Sequence, residues 1–117
     1  MATWNARSLM SSDKTLKWAR ALKLHGLLKR FDIVAVQETH LLFSQCGRLS
    51  HSARASHTAW HALAADAATG GVTLFVRNEL LASGAVPTVD ILEEGRVLRW
   101  SLTHAGTSLV VWNVHNY

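Results

Sequence analysis

Asp32-Ile33-Val34-Ala35-Val36-Gln37-Glu38-Thr39-His40 is the stretch on which the fold class turns. Its first part is short, β-branched and almost uninterrupted in apolar character, the pattern of a strand covered on both faces. Just upstream, Lys14 to Arg30 has no Pro, one Gly, and apolar residues at Leu24, Leu27, Leu28 and Phe31, spaced i, i+3, i+4 and i+7. Ser11-Ser12-Asp13 supplies capping oxygens ahead of it, so the spacing predicts an amphipathic helix over 14–30. Lys14, Lys17, Arg20 and Lys23 recur every third residue and read as its solvated side, with nucleic-acid contact as the lesser reading. Farther back, Ala2 to Asn5 reads as a short strand. A helix joined by tight turns between two strands is a βαβ-like unit and argues for an α/β or α+β layered fold.

Working toward the C-terminus, Gly47 to His57 is rich in Ser, Arg, His and Ala without a clean period, and is expected to be surface loop with at most a short helical turn. Thr58 to Leu63 is compatible with a strand, although its alanine-rich continuation could equally turn helical. After Gly70-Gly71 come Val72 to Val76, Thr88 to Leu92, Val97 to Thr103 and Ser108 to His115, set apart by Gly84, Gly95 and Gly106. These are short strands at hairpin spacing. No repeat, low-complexity tract or linker interrupts the sequence.

Composition bounds the rest. The 117 residues leave room for one domain. At 49% hydrophobic and 17% charged they are less charged than a typical globular chain, at about 25%, which excludes disorder as the main state. No apolar run reaches the roughly 18 residues that span a bilayer, and the first residues lack the apolar centre of a signal peptide. The expectation is an intracellular chain. A single Cys46 permits neither an internal disulfide nor a cysteine metal site. The net charge of +4 suits a polyanionic partner only mildly.

Three polar groups close apolar strands. Glu38 stands where the buried strand 32–37 ends, and a carboxylate there is costly unless a cation meets it. The carboxyl ends of strands in α/β sheets are where ligands bind, so Glu38 is a natural ligand for a hard metal ion. Asn5 ends the first strand, and Asn113-Val114-His115 ends the last. A carboxylate, an amide and an imidazole suit a phosphate ester: a divalent cation on Glu38 neutralises charge while Asn5 and His115 bond to phosphoryl oxygens. The competing reading for each is a satisfied structural residue.

Together these segments resemble a known family. Thr3-Trp4-Asn5-Ala6-Arg7-Ser8-Leu9, a helix, Asp32 to His40, Gly70-Gly71-Val72 and Val111-Trp112-Asn113-Val114-His115 are similar, in order and spacing, to the first half of the endonuclease/exonuclease/phosphatase superfamily. The opening and the Gln37-Glu38-Thr39-His40 segment are most like the endonuclease domains of LINE-type retrotransposons. The resemblance implies Asn5, Glu38 and His115 as catalytic residues, with Glu38 and Asn5 serving a Mg²⁺ or Mn²⁺ ion and Asn113 and His40 in support. It implies DNA as partner, which makes the nucleus a compatible location. The family's fold is a four-layer α/β/β/α sandwich. Residues 1–117 are expected to encode a partial domain of it: one mostly antiparallel sheet with a covering helix, its other face apolar and available for self-association.

Two features depart from the pattern. Asn116-Tyr117 replaces a context in which some branches carry Pro two residues after the His/Tyr position. The family's Gly-Asp-Phe-Asn and Ser-Asp-His segments, which supply water positioning and the general base, do not occur, and Asp13, Asp32, Asp66 and Asp90 lie in other contexts. The expectation is a fragment of a metal-dependent phosphodiesterase, inactive as this chain alone. The alternatives are a non-catalytic nucleic-acid-binding module or relic, a phosphoinositide phosphatase, and a sphingomyelinase-like hydrolase. A zinc site built from His40, His51, His57 and His61 is a minor reading, resting on a one-turn helical spacing of His57 and His61.

Overall fold

In the computed structural model, which describes residues 1–64, 69–81 and 84–115, β1 (Ala2–Asn5) runs parallel to β2 (Ile33–Gln37), with Asn5 paired opposite Gln37. The intervening helix α1 (Lys14–Arg30) begins where expected: Asp13 Oδ1 accepts the N–H groups of Thr15 at 2.9 Å and Leu16 at 3.2 Å. Lys29 and Arg30 in its last turn complement the negative end of the helix dipole. Its inward face is narrow, built on Leu24 and Leu28, whereas Leu16, Trp18 and Leu22 are exposed. The basic series is not uniformly solvated, because Arg20 donates to the Ser8 carbonyl at 2.8 Å and the Lys23 ammonium lies 5.2 Å from the centre of the Trp4 ring.

The segment expected to be loop is mostly helix, α2 (Phe43–Ala53). Its Ser, Gly and His content carries little helical propensity, so the local reading failed. Burial of Leu49 and Ala53, one turn apart, in the core cluster that also holds Leu24, Leu28 and Phe75 stabilises it instead. At its start the Gln45 carboxamide oxygen accepts the Leu42 N–H at 2.9 Å. The chain then forms β3 (His57–Ala62) and β4 (Val72–Arg77), which pair antiparallel, and β4 also pairs antiparallel with β2. The sheet order is β1-β2-β4-β3. The alanine-rich continuation beyond residue 64, with Asp66, and the Asn116-Tyr117 end lie outside the described residues.

After the short helix α3 (Asn78–Leu81), β5 (Val86–Glu93), β6 (Val97–His104) and β7 (Thr107–Val114) form an antiparallel meander. The β6–β7 turn places Ala105 at φ 51° and Gly106 at φ 80°, the handedness that matches the twist of two-residue hairpins. This meander is a second, separate sheet. The mixed α/β sandwich class is as expected, but the strands divide between two sheets and two long helices where one sheet and one covering helix were expected.

Alternation along the strands explains the division. Val34, Val36 and Phe75 point to α1 and α2, while Ile33, Ala35, Leu74 and Val76 point the other way onto Leu98, Trp100 and Val111 of the second sheet. Trp100 is fully buried, its ring centre 5.8 Å from that of Trp60. The apolar face of the first sheet is therefore covered from within the chain. Exposed apolar side chains lie on the second sheet instead, at Ile91, Val110, Trp112 and Val114. Among the described residues no helix is long and apolar enough to cross a membrane.

Candidate active site at the strand ends

The ends of β1 and β2 are held in unusual backbone conformations. Arg7, Ser8, Glu38 and His40 all have positive φ, at 50°, 81°, 52° and 51°. Side-chain-bearing residues visit this region at a cost that surrounding bonds must offset, and such positions cluster at functional sites. Here the offset is a set of backbone bonds between the two exits: Ser8 N–H to Glu38 O at 2.7 Å, Leu9 N–H to Thr39 O at 3.0 Å, and Ala6 N–H to Gln37 O at 2.9 Å. On the other side, Thr39 and His40 donate to the carbonyls of Gly71 and Gly70 at 3.1 and 3.0 Å. Gly71, at φ 90°, has no room for a side chain: a Cβ there would lie 2.6 Å from Thr39 Oγ1. Gly71 in turn donates to Gly95 O at 2.8 Å, which ties the β5–β6 turn to the same point.

Glu38 and His115 meet at this mouth. His115 Nε2 lies 4.0 Å from Glu38 Oε1, too long for a hydrogen bond but within coulombic reach, with the side chains 11% and 26% exposed. The His115 N–H donates to Arg96 O at 2.8 Å, fixing the exit of β7. Asn5 ends the neighbouring strand, exposed, and its Oδ1 accepts the Arg7 N–H at 3.2 Å, which shapes the turn after β1. The three strand-end residues thus lie at one end of the sandwich. His40 follows Glu38 by two residues, and its Nε2 is buried without a hydrogen-bond partner among the described residues. Thr39 Oγ1 is similarly orphaned.

Asn113 is placed differently from the mouth residues. It is buried between the sheets, donating to Thr73 O at 2.8 Å and Val36 O at 3.4 Å and accepting from Gln37 Nε2 at 2.8 Å. From sequence alone Gln37 has no role beyond its place in the Gln37-Glu38-Thr39-His40 segment. Its only local signal was an amide ending an otherwise apolar strand, and its bonds to Asn113 and to Thr3 Oγ1, at 3.0 Å, come from distant segments.

The remaining histidines do not assemble. The one-turn helical spacing of His57 and His61 fails because both lie on β3. His57 bonds to Ser56 Oγ at 2.7 Å and Phe31 O at 3.0 Å, and His61 to Ser50 Oγ at 2.9 Å and Thr73 Oγ1 at 2.8 Å. Burial pushes the His61 imidazole down to about 4. His51 is exposed on α2. Among the described residues no group of three His, Cys, Asp or Glu side chains is placed to hold a metal ion. What the mouth offers a cation is one carboxylate, Glu38, with the Asn5 amide on the adjoining strand. That oxygen-only set fits Mg²⁺, which keeps most of its water shell and takes one or two carboxylates.

Helices on one face of a mixed sheet, a second sheet on the other, and strand exits gathered at one end make up a mixed α/β sandwich. Among the solved structures similar to this chain are two AP endonucleases. The AP endonuclease LMAP from Leishmania major aligns over 97% of this chain with a TM-score of 0.70 and 19% identity, and the catalytic domain of APE2 from Xenopus laevis over 97% with a TM-score of 0.55 and 18% identity. The chain spans 38% and 43% of those two chains. At this identity the likeness is one of fold. No known family description matches the sequence, and no curated protein matches it.

Proposed function

We propose that residues 1–117 are the N-terminal portion of a Mg²⁺-dependent phosphodiesterase domain, a DNA endonuclease of retrotransposon type, and that they do not complete the reaction by themselves. The observation that carries the reading is the approach of Glu38 and His115 at the strand ends, with Asn5 alongside. Glu38 would hold the cation, which in this chemistry neutralises charge on the scissile phosphate. His115 would bond to a phosphoryl oxygen or protonate the leaving oxygen, held for that task by its backbone bond to Arg96. The Asn5 amide would orient the same phosphate. The fold shared with AP endonucleases supports a nuclease-type assignment, and the Trp4-Asn5 and Gln37-Glu38-Thr39-His40 segments support the retrotransposon branch. The absence of Gly-Asp-x-Asn and Ser-Asp-His segments from the sequence supports inactivity in isolation.

The test is plasmid nicking with Mg²⁺. The 117-residue chain is expected to give none, while a longer form that adds matching Gly-Asp-x-Asn and Ser-Asp-His segments is expected to nick, and to stop with EDTA or Glu38→Ala. Nicking by the short chain that EDTA and Glu38→Ala abolish overturns the inactivity. A longer form indifferent to Glu38→Ala overturns the site.

A further inference from the structure

Among the described residues the two sheets share no backbone ladder, yet the candidate site needs one residue from each: Glu38 from the exit of β2 and His115 from the exit of β7. Apolar packing alone is a poor gauge of such a separation, because it is non-directional. Directional bonds cross the gap just behind the mouth. Asn113 projects from β7 and places both amide hydrogens on the carbonyls of Val36 and Thr73, which are register partners on β2 and β4. Its oxygen accepts from Gln37, whose amide also donates to Thr3 on β1. The donors and the acceptor of the Asn113 side chain are thus all used, fixing its orientation in a site 1% exposed.

We infer that the Gln37–Asn113 pair positions the Glu38 carboxylate against the His115 imidazole. Gln37 immediately precedes Glu38, and Asn113 lies two residues before His115, on the same exits. A carboxylate in place of Asn113 would face the two carbonyls, and an aliphatic side chain would leave the Gln37 amide without its buried partner. Neutral amides fix geometry without adding a charge beside Glu38. Neither residue touches the reacting groups, so both are positioning residues. The inference rests on the reading of Glu38 and His115 as the site, but its test does not require catalysis.

The experiment is NMR of the His115 ring in the 117-residue chain. Glu38→Gln is expected to move the His115 ring resonances, because the carboxylate charge lies 4.0 Å away. In a Gln37→Met background, and again in Asn113→Ala, the same substitution is expected to move them by less than half as much, while the His57 and His61 resonances stay in place. Those two rings lie on β3 and report an intact first sheet, so a purely structural loss would move them as well. Should Asn113→Ala fail to fold, Gln37→Met at its half-buried position decides the matter. An undiminished response in a folded variant overturns the inference. Added Mn²⁺ separates this from the metal reading: if it fails to broaden residues around Glu38, the cation assignment falls, and the His115 response still decides the role of Gln37 and Asn113.

Discussion

His115 Nε2 stands 4.0 Å from Glu38 Oε1 although the two residues leave different sheets and lie far apart in the sequence. The pair is assembled by tertiary structure, and it sets the first prediction. Glu38→Ala is expected to abolish Mn²⁺ broadening at the mouth of this chain. In a nicking-competent longer form it should lower the rate by roughly 100-fold or more, since a metal's Lewis-acid contribution is worth several kcal/mol. Plasmid nicking and Mn²⁺ titration measure the two effects separately.

Gly71→Ala is expected to destabilise the chain by about 1–3 kcal/mol. Its φ of 90° disfavours any side chain, and the new Cβ would meet Thr39 Oγ1 beside the Glu38 turn. The denaturant midpoint of the variant against the parent chain gives the value. An unchanged midpoint would mean that the turn relaxes freely and that the strained exit of β2 is not held from this side.

Stability is expected to fall on mild acidification. His61 is pushed down to about 4 by burial, below its ordinary value near 6.5. The unfolded chain therefore takes up the proton first, so the contribution is complete above about pH 6.5 and is lost as the pH falls toward 4, to a total of about 3 kcal/mol. Burial moves His57 in the same direction, which adds to the loss. Unfolding curves measured from pH 7.5 to 4 should show this slope, and His61→Gln should flatten it. A slope unchanged by His61→Gln would assign acid sensitivity to other groups.

The second sheet is expected to bind hydrophobic dye and to promote association of copies, because Val110, Trp112 and Val114 present alternate, half-exposed apolar side chains along β7. Trp112→Lys should reduce dye binding and shift light scattering toward the monomer. The Arg99 guanidinium lies 5.5 Å from the Trp112 ring centre, so the substitution also removes a cation–π contact, worth about 0.5–1 kcal/mol when exposed. Dye binding unaffected by Trp112→Lys would place the sticky surface elsewhere, with the exposed Trp18 and Leu22 of α1 as the next region to alter.

The sequence by itself determined the elements whose signals are local. The unbroken apolar run before Gln37 defined β2, Asp13 and the absence of Pro defined α1 to the residue, and glycines marked the hairpins. The strand-end residues Asn5, Glu38 and His115 were legible for the same reason: a polar group closing an apolar strand is visible without knowing what it faces. Tertiary structure alone decided what depends on distant partners. The helix α2 owes its existence to burial of Leu49 and Ala53 rather than to propensity, so its Ser- and His-rich sequence read as loop. The division into two sheets depends on which face of β2 and β4 receives Trp100, and alternation along a strand states that there are two faces without stating what covers them. Gln37 and Asn113 gain their importance from hydrogen bonds across that division. A hydrogen bond is directional and short, so a partner supplied by another sheet leaves no periodic trace in the sequence near either residue.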